Sequence, residues 1–223
     1  MTPRRSDGTS TDAYAQRRLE MVERQLRRRG ISDERVLRAM EEVPRERFVP
    51  PEERKRAYRD GALRIGAGQT ISQPWIVASM TALLELGPGD RALEVGTGSG
   101  YAAAVLSRCC REVVTIERHA SLAEEAAGVL RELGYDNVEV RTGDGSRGAP
   151  DRAPFDGISV TATAEGEPPA ALMDQLAPHG RLVCPVRTAG GERLTRFHAG
   201  GGTEPMVPVR FVPLVEDPGC GGP

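Results

Sequence analysis

Arg91-Ala92-Leu93-Glu94-Val95-Gly96-Thr97-Gly98-Ser99-Gly100-Tyr101 runs from an apolar stretch with one acid into three glycines at alternate positions. Ala102-Ala103-Ala104-Val105-Leu106 follows at once. The pattern predicts a buried strand, a tight turn and the start of a helix. A glycine turn lets a ligand approach the backbone closely, because no Cβ stands in the way. It also aims unpaired helix N–H groups at that ligand.

Outward from this stretch the periods alternate. Val113–Ile116 reads as a strand ending at Glu117, and Ala120–Leu133 as a helix buried through Leu122, Ala126, Val129, Leu130 and Leu133. Val138–Val140 and Ile158–Val160 read as strands, Pro169–Ala177 as a short helix and Arg181–Cys184 as a strand. Leu194–Phe197 and Val209–Val212 read as two strands joined by Gly200-Gly201-Gly202. Strand–helix alternation implies an α/β fold with a doubly wound, mostly parallel sheet. The last pair adds a C-terminal antiparallel hairpin at its edge.

Upstream lie N-terminal helices. Asp12–Arg29 is helical, with Tyr14, Leu19, Val22 and Leu26 toward the core; Arg27-Arg28-Arg29 suits a helix C-terminus, and Gly30 stops it. Ser32 reads as an N-cap before Val36, Met40 and Val43. Residues 44–68 read as a long ordered loop with helical pieces. Gly66–Pro74 leads into a helix with Ile76, Val77, Met80, Leu83 and Leu84 on its stripe.

The 223 residues and a net charge of −2 fit one domain without an electrostatic claim on nucleic acid or anionic membrane. We expect a single domain over 12–217, divided into a helical, acceptor-binding part (12–90) and a cofactor-binding sheet (91–217). Residues 1–11 and 218–223 are expected to be disordered tails. No apolar run reaches membrane length, and no secretory signal is evident. Cys109, Cys110, Cys184 and Cys220 show no metal-ligand spacing, so reduced cytoplasmic thiols and no metal are expected.

In open α/β sheets, ligands sit outside the carboxyl ends of the strands. Three such ends carry signals here. The glycine turn supplies Gly96, Thr97, Gly98, Ser99 and Gly100. The next end supplies Glu117, suited to ribose hydroxyls, with Arg118 and His119 beside it; His119 packs on adenosine or is a surface loop residue. The third supplies Gly143, Asp144 and Gly145, with Asp144 suited to an adenine amino group. A dinucleotide fingerprint read from Gly96 fails at Tyr101. Glu94-x-Gly-x-Gly-x-Gly suits S-adenosyl-L-methionine better, with Glu94 near the charged methionine moiety.

Leu93–Tyr101, preceded by Gly68-Gln69-Thr70-Ile71-Ser72-Gln73-Pro74, resembles the protein-L-isoaspartate O-methyltransferase family. Arg45–Pro50, Leu133–Val138, Gly143–Gly145, Ala153–Asp156 and Arg210–Leu214 extend the resemblance over about residues 15–215. It implies a Rossmann-like class I methyltransferase that esterifies the free carboxylate of isoaspartyl residues in damaged proteins or peptides. The ester then cyclises to a succinimide, which begins repair. It implies Ser72 as the residue that aims the carboxylate, with Thr70, Ile71 and Gln73 in substrate binding. From the residues alone Ser72 reads as a simple helix N-cap before Ile76. Ala149, Arg64, Arg187 and the 163–169 loop depart from the family pattern, and Arg64 either meets a substrate carboxylate or is a solvated charge. The departures motivate an alternative: a tailoring methyltransferase acting on aspartate in one ribosomal peptide. A non-catalytic adenosine-binding module is the reading from another class. The expected state is a cytoplasmic monomer.

Overall fold

The computed structural model describes residues 8–215. Residues 1–7 of the first expected tail and all of 218–223 lie outside that range.

Helix α1 (Gly8–Met21) continues as a π-helical turn over Val22–Leu26 and a 3-10 turn over Arg27–Arg29. Residues 8–11 thus belong to α1. Gly30 ends the run in the left-handed region, at φ 92°, as expected of a glycine stop. Leu19 is 54% exposed, whereas Met21 is buried. Five positions beyond Tyr14 lie on the far side of a helix, while seven return to the same side. In helix α2 (Glu34–Glu42) the cap is Asp33, not Ser32: its side chain accepts from the amides of Arg35 and Val36.

The 44–68 stretch holds 3-10 turns at Arg45–Phe48 and Pro51–Arg56. It also holds β1 (Leu63–Arg64), which pairs antiparallel with β2 (Thr70–Ile71) in a hairpin not foreseen from sequence. Helix α3 (Pro74–Leu84) follows directly, with Pro74 in its first turn.

The main sheet is built from β3 (Arg91–Val95), β4 (Glu112–Glu117), β5 (Val138–Thr142), β6 (Phe155–Val160), β7 (Ala164–Glu165), β8 (Leu176–Thr188), β9 (Gly191–His198) and β10 (Thr203–Pro208). Its order is β10-β9-β8-β6-β3-β4-β5, with β7 also on β8. Pairings among β3, β4, β5, β6 and β8 are parallel, and β8–β9 and β9–β10 are antiparallel. Helices α4 (Tyr101–Ser107) and α5 (Ala120–Glu132) make the crossovers, and α6 (Ala170–Met173) is a single turn.

Two boundaries differ from expectation. The expected helix over 169–177 stops at Met173, because β8 already begins at Leu176. The last strand is 203–208, not 209–212. The turn at Gly200–Gly202 is short, so pairing resumes at once with Thr203 opposite Phe197. The register shifts between Pro205 and Pro208, where prolines have no N–H to give the ladder.

Alternate residues of β3 enter different cores. Leu93 and Val95 pack with Val114, Ile116, Ile158 and Leu182. Ala92 packs with Met80, Leu84, Ala103, Leu106 and Val113. This is the two-sided burial a central parallel strand requires. A third cluster under the N-terminal helices joins Leu26, Leu37, Met40 and Phe48 to Ile71 and Tyr101. It packs Ile71 of β2 into the same cluster as Tyr101, the first residue after the glycine turn.

Candidate active site: a glycine turn and an acceptor hairpin

β3 lies between β6 and β4, where the strand order reverses, and its carboxyl end opens into the glycine turn. Gly96, Gly98 and Gly100 all have positive φ, at 96°, 53° and 86°. At Gly96 a Cβ would lie 2.2 Å from the Thr161 hydroxyl oxygen. That hydroxyl is within hydrogen-bond distance of the Val95 and Gly96 carbonyls, at 3.0 and 2.9 Å. The Gly96 amide donates to the Ile116 carbonyl at 2.8 Å, so the turn is anchored by both flanking strands. Gly100 caps α4. Ser99, beside it, is half-buried.

A buried polar chain lies beneath the turn. The Thr97 and Thr115 hydroxyls are 2.7 Å apart, and Thr115 donates to Glu94 Oε2 at 2.6 Å. Glu94 is 0% exposed, and its Oε1 has no hydrogen-bond partner. Burial pushes this carboxyl up to about 8, against the Thr115 hydrogen bond, and the neighbouring Glu117 charge adds to the rise. A buried acceptor without a donor is costly.

Glu117, at the end of β4, accepts from the Gly98 amide at 2.9 Å and the His119 amide at 3.0 Å. Each oxygen retains a lone pair for another donor. His119 is the half-buried N-cap of α5, and Arg118 is exposed. Beyond β5, Asp144 Oδ1 accepts from the Ser146 amide at 2.9 Å and hydroxyl at 2.7 Å, which braces the Gly143–Gly145 turn. Gly145 fits tightly under β3: a Cβ there would lie 2.5 Å from Val95 Cγ1. The fold thus brings Glu94, Glu117 and Asp144 to three adjacent parallel strand ends.

The 63–73 segment meets the turn through the β1–β2 hairpin. A Cβ on Gly98 would touch Ile65 Cδ1 at 3.4 Å, and one on Gly66 would touch Leu122 Cδ2 at 3.2 Å. Thr70 is exposed opposite Arg64, which is also exposed, while Ile71 is buried in the N-terminal cluster. Ser72 is half-buried, and its carbonyl accepts from Arg45 at 2.7 Å. The N-cap of α3 is Gln73, and Ser72 makes no cap. Gln73 Nε2 donates to Asp60 at 2.6 Å, and Asp60 also pairs with Arg29 at 3.0 Å. Arg29 in turn lies over the Trp75 ring, 5.0 Å from its centroid. Of the other two arginines in that basic cluster, Arg27 pairs with Glu34 and Arg28 with Glu23.

Several residues that build the site carried no signal of their own in the sequence. Thr161 follows the end of β6 and braces the turn, and Thr115, inside β4 opposite Glu94, holds Glu94. Gln175 receives the Ala149 amide at 2.8 Å and donates to the Arg147 and Ala171 carbonyls, both at 2.8 Å. Ala149 is 1% exposed, packed in the core, so this departure from the family pattern faces inward. Arg45 lies within a quoted family segment yet is 0% exposed, a placement no sequence period predicts. Among the described residues, Cys109, Cys110 and Cys184 are buried and free, and no cluster of three or more His, Cys, Asp or Glu could hold a metal. No helix among them is long and apolar enough to cross a membrane.

Comparison with known proteins shows the family. A family profile described as Protein-L-isoaspartate(D-aspartate) O-methyltransferase matches residues 16–219. A protein-L-isoaspartate O-methyltransferase of Roseiflexus castenholzii is 56% identical over 191 residues, covering 84% of this chain and 87% of that one. One of Parvibaculum lavamentivorans is 50% identical over 217 residues, covering 95% and 97%. In solved structures, a Plasmodium falciparum protein of that description, in complex with S-adenosyl-L-homocysteine, superposes with a TM-score of 0.76 at 26% identity, covering 89% of this chain and 98% of that one. With its family segments spread over a sheet and turn of this geometry, the chain belongs to the protein-L-isoaspartate(D-aspartate) O-methyltransferase family.

Proposed function

We propose that this enzyme methylates the free carboxylate of L-isoaspartyl residues in damaged proteins or peptides, with S-adenosyl-L-methionine as methyl donor. The observation that carries the reading is the seating of the β1–β2 hairpin, through Ile65, on Gly98 of the glycine turn. It puts the segment leading to Ser72 against the turn suited to a nucleoside ligand.

The residues present fit the donor. Glu94 Oε1 is a buried polar atom without a partner, and a nearby cationic ligand would favour its ionised form. We assign Glu94, Gly96, Thr97, Gly98, Ser99 and Gly100 to its methionine end. Glu117, Arg118 and His119 go to the ribose, and Gly143, Asp144 and Gly145 to the adenine. When bound, the donor supplies a methyl group already activated on a sulfonium. The acceptor carboxylate is already ionised near pH 7, so no general base is required. What the chain contributes is orientation, which can be worth ~7–11 kcal/mol. The Ser72 hydroxyl donates to one oxygen of the carboxylate and aims the other. Thr70 and Gln73 support the peptide, and Ile71 anchors the strand from beneath. The backbone nitrogen of the following residue attacks the methyl ester and expels methanol to give a succinimide, which water reopens in part to normal aspartate. Work as a monomer in the cytoplasm belongs to this reading.

The test is a pair of peptides that differ only in isoaspartate against aspartate, assayed for methyl transfer from labelled donor. Turnover of the isoaspartyl peptide alone is expected. Exclusive use of the normal aspartyl peptide would overturn the reading.

A further inference from the structure

Arg45 is a buried cation, and among the described residues no carboxylate lies within ion-pair distance of it. Its Nε donates to the Ala57 carbonyl at 2.8 Å and its Nη2 to the Ser72 carbonyl at 2.7 Å. Its guanidinium lies 4.7 Å from the centroid of the Tyr101 ring, and Nη1 is buried with no partner. Burying such a charge costs several kcal/mol unless its geometry repays it, and a well-packed apolar side chain often serves stability better. The three contacts belong to three separate pieces of chain. Ala57 ends the 3-10 turn after Pro51, Ser72 ends the acceptor hairpin, and Tyr101 is the first residue after Gly100. A second polar tether on this segment, Gln73 to Asp60 to Arg29, is solvent-exposed and accordingly weak.

We infer that Arg45 is a positioning residue: a buried strut that fixes the Ser72 backbone against the glycine turn and so sets the spacing between acceptor and methyl donor. The inference rests on the reading in which Ser72 receives the acceptor. A planar fork that bonds two carbonyls while stacking on a ring cannot be copied by an ammonium.

Arg45→Met and Arg45→Lys test it, with three measurements on each variant and on wild type. These are S-adenosylhomocysteine affinity by calorimetry, kcat and KM for an isoaspartyl peptide, and amide hydrogen exchange over residues 63–73. We expect kcat/KM to fall by ~10²-fold, carried by kcat, as for a misplacement of about 1 Å. The product's Kd should stay within about threefold of wild type, and exchange near Ser72 should accelerate. The Met variant should keep its Tm, since an apolar side chain of similar length fills the site. Wild-type peptide kinetics in both variants would overturn the inference. So would a loss of product affinity in proportion to the loss of turnover, or a failure of both variants to fold, either of which marks a merely structural role. If wild type ignores the isoaspartyl peptide, the functional reading fails instead, and exchange over 63–73 still decides whether Arg45 is the strut.

Discussion

Gly96–Gly100 and the hairpin that leads to Thr70–Gln73 meet through Ile65, yet they are held by different means. The glycine turn is fixed by backbone geometry and adjacent strands: the Gly96 amide on Ile116, the Gly98 amide on Glu117, the Thr161 hydroxyl at the Gly96 carbonyl. The hairpin segment that we assign to the acceptor is fixed by side-chain contacts: Arg45 to Ser72, Asp60 to Gln73, Ile65 against Gly98. The first arrangement tolerates no change in shape, whereas the second has separable parts. Donor binding and acceptor binding should therefore break independently.

Gly96→Ala should do most damage. The residue sits at φ 96°, and the new Cβ would meet the Thr161 oxygen at 2.2 Å. Backbone strain of ~1–3 kcal/mol adds to the clash, and we expect S-adenosylhomocysteine affinity to fall by at least about tenfold by calorimetry. Ser72→Ala should strike the other half alone. Methyl transfer to the isoaspartyl peptide should drop ~10–10²-fold, as for one lost hydrogen bond to a charged group, with product affinity unmoved. If both ligands weaken together, the two halves are not separable.

Glu94→Gln probes the donor side by pH. The Glu94 carboxyl is raised to about 8 in the folded chain, above its ordinary 4.5, so the folded state holds this proton more tightly than the unfolded one. Its contribution therefore favours folding at low pH and is lost as pH rises from the ordinary carboxylate range through about 8. Denaturant melts at pH 5.5 and 8.5 should show wild type losing more stability than Glu94→Gln, by on the order of 2 kcal/mol. Equal losses would place no proton on Glu94. Arg64→Ala should matter least. Arg64 is exposed beside Thr70, and we expect less than about a twofold change in peptide KM; a larger rise would make it a substrate contact.

The same contrast explains what was legible in the sequence. The strand–turn–helix at Leu93–Tyr101 is a local pattern, and its periods named the sheet, the turn and the three acids at strand ends. Asp33 took the cap from Ser32 because two adjacent residues were both competent, and only the chain's path chose between them. The β1–β2 hairpin was missed because two-residue strands carry no period. Val209–Val212 has the period of a strand, but the glycine loop had already set the register. Arg45 was invisible for a deeper reason. A charged residue in an arginine-rich segment reads as solvated, and only the packing of Ala57, Ser72 and Tyr101 around it makes it internal.

The place of β3 in the sheet also bears on how the enzyme comes into being during synthesis. Its turn emerges early, but the Thr161 hydroxyl that braces it follows β6, about 60 residues further on. A nascent chain that has exposed the entire glycine motif but not yet Thr161 holds every signature residue of the turn and lacks the brace that shapes it. Until β6 docks beside β3, the turn has only its anchors on β4, so the wall behind it is completed by a part of the chain made well after the motif itself.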